Sequence, residues 1–249
     1  MKHTHAQSRQ PLVAILRYTL QTCFPARKLL LLLPTLGAAM FGLLSRGVHG
    51  GSAAHSFAVV AGPGIFELLL PITCLVIGDA LLGAELRSGV FSFTWLSPVR
   101  YSTIIIGRWC GGMVICALLL TPAAIAGALA AGAPSTIGGA IIALNAGAAA
   151  YLALFIAIGV SFQRPVVWSL ILVILIERLL GTALSGIAQI TPGWLADSTY
   201  LGLSKLSELR RVGVPYGWAA VLRLVLVTVI ALAISIRRMR KLRPASASD

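Results

Sequence analysis

The chain has 249 residues, 58% of them hydrophobic and only 11% charged, with a mean hydropathy of +0.92. Such a composition excludes a water-soluble domain and marks an integral membrane protein. A formal charge of +13 would suit nucleic-acid binding, but the basic residues stand at the ends of apolar runs, where they anchor a membrane topology instead.

A bilayer core of about 30 Å needs roughly 20 apolar residues per crossing helix. The first predicted element is amphipathic and does not cross. In residues 9–27, Leu12, Ile15, Leu16, Leu20, Cys23 and Phe24 recur at helical spacing opposite Arg9, Arg17 and Gln21. That pattern predicts a helix lying in the membrane interface. A disordered basic leader is the alternative. No short apolar core with a small-residue cleavage site precedes it, so no cleaved secretory signal is expected.

Six spans follow, over about 29–47, 57–82, 104–131, 137–161, 165–190 and 217–236. The second carries Glu67 near its middle. Spans three and four come from one long stretch, Trp109 to Gln163, that holds no Asp, Glu, Lys or Arg; a Gly-Ala-Pro-Ser-Thr turn at 132–136 divides it. The fifth must run through Glu177 and Arg178, because stopping at Ile176 would leave a segment too short to cross. Residues 237–249 form a basic tail. By segment, fourteen Lys and Arg fall on the side of both termini and four on the other, which predicts that both termini are cytoplasmic.

Between spans two and three lies the longest cytoplasmic connection, and its Leu86, Val90, Phe91 and Trp95 need cover from a protein partner or the membrane surface. His49 and His55 fall on an external loop, and Asp79, Arg108 and Arg223 near span ends. Pro34, Pro71 and Pro122 break their helix ladders locally. Small residues of span four, among them Gly138, Gly139, Ala143 and Gly147, favour close helix contact. The four cysteines lack a CxxC pair and read as packing residues.

Catalytic signatures are missing. None of the four lysines follows a glycine, so no phosphate-binding loop exists, and the four histidines lack metal-ligand spacing. What remains are ionisable groups in hydrocarbon, which cost at least about 2.5–3.5 kcal/mol unless they face protein or water. Glu67, Glu177 and Arg178 are therefore candidates for a polar pathway, and a buried ion pair that fixes helix packing accounts for the same residues.

One ordered set of residues resembles a known family. Glu85-Leu-Arg-Ser-Gly89, then Pro98-Val-Arg100, then Gly107-Arg108 is similar to the signature of type-2 ABC transporter permeases, with Val90 where Thr is usual and Arg108 where Lys is usual. A Pro-Gly-Trp-Leu turn at 192–195 follows in the same order. The resemblance implies an all-α membrane protein with six transmembrane helices. An N-terminal interfacial elbow helix, a cytoplasmic coupling helix between spans two and three and a re-entrant segment after span five would complete it. It implies that Glu85, Arg87, Gly89, Phe91, Trp95 and Pro98 dock on an ATPase subunit. Spans two and five would line a dimer interface through which cargo passes, beside Glu67, Glu177 and Arg178. The partners would be two ABC ATPase subunits, a second permease identical or homologous to this one, and membrane lipids. This chain would be no enzyme and carry no cofactor, ATP and Mg being bound by the ATPase. Short external loops and few aromatic residues point to an amphipathic drug, antibiotic or peptide, exported across a bacterial cytoplasmic membrane. A lipid or polysaccharide permease, or a non-transport sensor or assembly factor, is the competing expectation.

Overall fold

The computed structural model describes residues 15, 32–48, 51–83, 100–162, 164–175, 186, 189–210 and 213–241. Among them there is helix and turn and no strand. The helices are α1 (Leu33–Ser45), α2 (continuous through Ala53–Ala61, Gly62–Leu69, Leu70–Gly78 and Asp79–Gly83), α3 (Tyr101–Ala131), α4 (Ile137–Ser161), α5 (Pro165–Ile171), α6 (Pro192–Leu203) and α7 (Trp218–Lys241). Among the described residues four helices are long and apolar enough to cross a membrane: Ala53–Leu81, Tyr101–Ala131, Pro134–Ser161 and Trp218–Arg240. Leu33–Ser45 and Pro165–Leu175 are shorter apolar helices.

Local sequence sets the boundaries. Ser52 caps α2 by accepting the amide of His55 at 3.2 Å, so the helix begins before Phe57 and His55 lies inside its first turn rather than on a loop. Pro63 then sits at the start of a wide, π-helical stretch, Gly62–Leu69, and a second one covers Asp79–Gly83. α3 ends on Gly132 in the left-handed region (φ 75°), with the Ala133 amide returning to the Ala128 carbonyl at 2.9 Å. Pro134 opens a short 3₁₀ turn into α4. Two expectations change: Pro34 falls in the first turn of α1, and the Pro-Gly-Trp-Leu stretch at 192–195 is the first turn of α6, with Pro192 where a missing N–H costs nothing.

α4 is the central element, packed on α2, α3, α5, α6 and α7. Its small residues do admit neighbours: a Cβ on Gly147 would meet Leu70 and Ala196, and one on Gly139 would meet Ser204, although Gly138 faces open space. The tightest approach lies elsewhere, between α1 and α3. A Cβ on Gly42 would come within 2.2 Å of the Gly127 carbonyl, while Gly127 abuts the Ala38 backbone. Polar ties join α3 to α4, Trp109 Nε1 to the Ala149 carbonyl at 3.1 Å and Asn145 Nδ2 to Thr121 Oγ1 at 3.3 Å. The outer faces are apolar: α7 exposes Leu222, Val225, Leu226, Val229 and Ile230, and α1 exposes Leu33, Leu36, Met40 and Leu43, each a stripe at helical spacing. Such stripes suit hydrocarbon.

Candidate functional site

Because successive helices alternate in direction, the bundle has one end at the 84–99 connection and an opposite end at the 132–136 turn. Glu85, Arg87, Gly89, Phe91, Trp95 and Pro98 lie outside the described residues. The two anchors of that connection are described. On one side stands the described end of α2, Asp79–Gly83. On the other, eight residues beyond the α3 N-cap Arg100, Arg108 is buried at 5% exposure and its Nη1 donates to the Leu81 carbonyl at 2.5 Å. Arg108 lies inside α3, within the predicted third span. A buried guanidinium needs acceptors of this kind. Beside it, Gly107 leaves room for Ile15: a Cβ there would sit 3.0 Å from the Ile15 side chain. Ile15 is itself helical.

Glu67 lies half-buried in the π-helical stretch of α2, next to the fully buried Phe66. Glu177 and Arg178 lie outside the described residues, so the structure does not bring the three together. Nearer the 84–99 end, Asp79 lines a small cavity with Leu75, Gly78, Phe155, Gly159, Pro165, Val166 and Ser169, at the junction of α2, α4 and α5. Arg223, near a span end, donates to Gln189 Oε1 at 2.8 Å.

The opposite end holds a polar group that the sequence did not disclose. Asp197 is 3% exposed, and Ser198, Thr199 and Tyr200 beside it are buried too. The Asp197 carboxylate packs against Gly62 of α2, where a Cβ would meet Oδ1 at 3.3 Å. Tyr200 is fully enclosed. Its ring meets Phe57 edge-on at 6.0 Å and Phe66 at 5.3 Å, and its hydroxyl lies beside Thr136, Ser204 and the Asp197 carboxylate without completing a hydrogen bond. The signal that could have found this group is Leu195/Thr199 and Ala196/Tyr200 at helical spacing after a proline start.

Above this group a cleft of about 400 Å³ is lined by Gly51, Ser52, His55, Lys205, Leu206, Ser207 and Glu208. His55 Nδ1 and Glu208 Oε2 are 3.8 Å apart across it, with Glu208 85% exposed, so the pair contributes little to stability. Among the described residues no cluster of three His, Cys, Asp or Glu could hold a metal ion. Cys74 and Cys116 are buried, Cys110 half-buried, and all three are free thiols.

The apolar helices define a multi-pass membrane protein. No protein-family model matches the chain, and no curated protein matches it in sequence.

Proposed function

We propose that this chain is the membrane-spanning subunit of an ATP-driven exporter of the type-2 ABC permease kind. It would sit in a bacterial cytoplasmic membrane with both termini inside and work with a second permease and two separate ATPase subunits. The observation that carries this reading is α6. Nine of its twelve residues are buried, and it packs on α2, α4 and α7 at the bundle end opposite the charged 84–99 connection. A short helix held inside protein between the fifth and last apolar segments is what the resembled family's re-entrant segment requires, because non-helical backbone at membrane depth must be covered by protein. The charge pattern supports the same orientation: α2, α4 and α7 all end on the side with most Lys and Arg.

On this reading the 84–99 connection receives the ATPase, Glu85 and Arg87 setting orientation by charge while Phe91 and Trp95 bury apolar area. Glu67, Glu177 and Arg178 face the pathway, and the cargo is an amphipathic drug, antibiotic or peptide. The test is co-purification in mild detergent. Wild type is expected to retain an ATPase chain, and Trp95→Ala or Glu85→Ala to lose it or to lose stimulated hydrolysis. Wild type purifying without any ATPase would favour a sensor or assembly factor. For the pathway, Arg178→Met is expected to alter export at normal abundance; poor accumulation instead would assign Arg178 to helix packing.

A further inference from the structure

The cleft at the 132–136 end of the bundle stands at the level of lipid headgroups. Ser52, in its wall, caps the helix whose membrane-crossing length begins at Ala53, and Ser204, next to its Lys205, abuts Gly139 near the start of α4. Its volume of about 400 Å³ falls in the range of small-molecule sites. The lining carries one ammonium, Lys205, and one carboxylate, Glu208, together with the imidazole of His55 and the hydroxyls of Ser52 and Ser207. With His55 neutral, the formal charges of the lining cancel. Among the described residues the Lys205 side chain has no ion-pair partner, and Arg210, the next cation along the chain, is turned over the Tyr216 ring at 5.5 Å.

The backbone singles out Lys205. α6 ends in a Schellman turn, in which the Leu206 amide returns to the Leu201 carbonyl at 2.9 Å and the Lys205 amide to the Gly202 carbonyl at 3.3 Å. The left-handed position of such a turn usually holds glycine. Here it holds Lys205 at φ 59°, the one non-glycine residue at positive φ among the described residues. A lysine kept there at a conformational cost is a sign that its side chain is used.

We propose that this cleft binds a phosphate that carries an ammonium group, either the headgroup of an ethanolamine phospholipid or free phosphoethanolamine. Lys205 takes the phosphate as a point charge, with the Ser52 and Ser207 hydroxyls as further donors. Glu208 takes the ammonium, a contact that its 85% exposure leaves open. Because the charges of the lining are opposite and equal, a headgroup of zero net charge fits, while an anionic one meets Glu208 without compensation. A carboxylate has fewer oxygens to offer these donors, and at this depth phosphate is the anionic group that lipid supplies. The site stands on the fold and takes nothing from the exporter reading except its side of the membrane, the outer leaflet.

The probes are phosphatidylethanolamine, phosphatidylglycerol and O-phosphoethanolamine, each added to the full-length protein in detergent and read by native mass spectrometry and thermal unfolding. Wild type is expected to retain phosphatidylethanolamine about tenfold more strongly than phosphatidylglycerol. Lys205→Gly should weaken that retention about tenfold and yet raise the thermal midpoint of the lipid-free protein by about 2–4 °C, because glycine relieves the left-handed turn. Lys205→Arg keeps the cation and should keep the lipid. Glu208→Gln, at a side chain too exposed to disturb folding, should lose the preference between the two lipids. Wild type holding both lipids equally, Lys205→Gly binding as wild type does, or Glu208→Gln keeping the preference overturns the proposal. A lowered midpoint or failed accumulation of Lys205→Gly would assign Lys205 to holding the turn and overturns it as well. Retained phosphatidylethanolamine supports the site with a lipid as its source. Bound O-phosphoethanolamine with no lipid retained supports it with a soluble one, and neither bound overturns it.

Discussion

Gly42→Ala is expected to remove most of the folded protein from the membrane. The added methyl would lie 2.2 Å from the Gly127 carbonyl and 2.9 Å from the Ala130 Cβ, and neither is the movable end of a long side chain. Relief requires α1 to part from α3, whose contact also uses Gly127 against the Ala38 backbone. The penalty should therefore reach or exceed the ~1–3 kcal/mol of ordinary overpacking. Gly138→Ala is the control: a Cβ there meets nothing within 4 Å, and exchanging glycine for alanine favours a helix by about 1 kcal/mol. Yield of monodisperse protein after detergent extraction, with its thermal midpoint, reads the difference. Equal yields and midpoints for Gly42→Ala and wild type would show that the two helices do not touch in this way.

Tyr200 separates two kinds of burial at one position. Tyr200→Ala empties a fully enclosed site between Phe57 and Phe66 and should cost about 3–5 kcal/mol, as for other large aromatic truncations. Tyr200→Phe removes only a hydroxyl that completes no hydrogen bond. It should leave stability unchanged or raise it by on the order of 1 kcal/mol, since an unsatisfied buried polar group is itself a cost. Thermal unfolding of both variants in the same detergent decides. A Phe variant as unstable as the Ala variant would mean that the hydroxyl, not the ring, holds α6 in place.

The apolar, helical character of the chain was legible in its composition and in the charge-free run that α3 and α4 largely share, because hydropathy reports what meets lipid. Features set by protein meeting protein were not. Hydropathy says nothing of Asp197-Ser-Thr, polar side chains that lie buried on α6, which packs on α4 and α2. It placed Arg108 at the start of span three without a partner, and the Leu81 carbonyl that accepts from it lies on another helix. The earlier start of α2 was encoded in the Ser52 cap, a local hydrogen-bond signal that a search for apolar windows does not read. The wide turn after Gly62 has only Pro63 to announce it, and a proline announces many structures.

The junction of α6 and α7 bears on how this end of the protein behaves under load. A Cβ on Gly202 would fall 2.3 Å from Gly217 Cα, the Gly217 amide donates to the Ser198 carbonyl at 3.2 Å, and the Tyr216 hydroxyl donates to the Leu201 carbonyl at 3.0 Å. Gly217, at φ 61°, supplies the left-handed turn that lets the chain double back so closely. Main chain meets main chain at Gly202 and Gly217, and the Tyr216 hydroxyl adds a tie, so the seam has little slack. The short helix and the long one that follows it are thereby joined as a stiff hairpin, and both elements of that hairpin pack on α4.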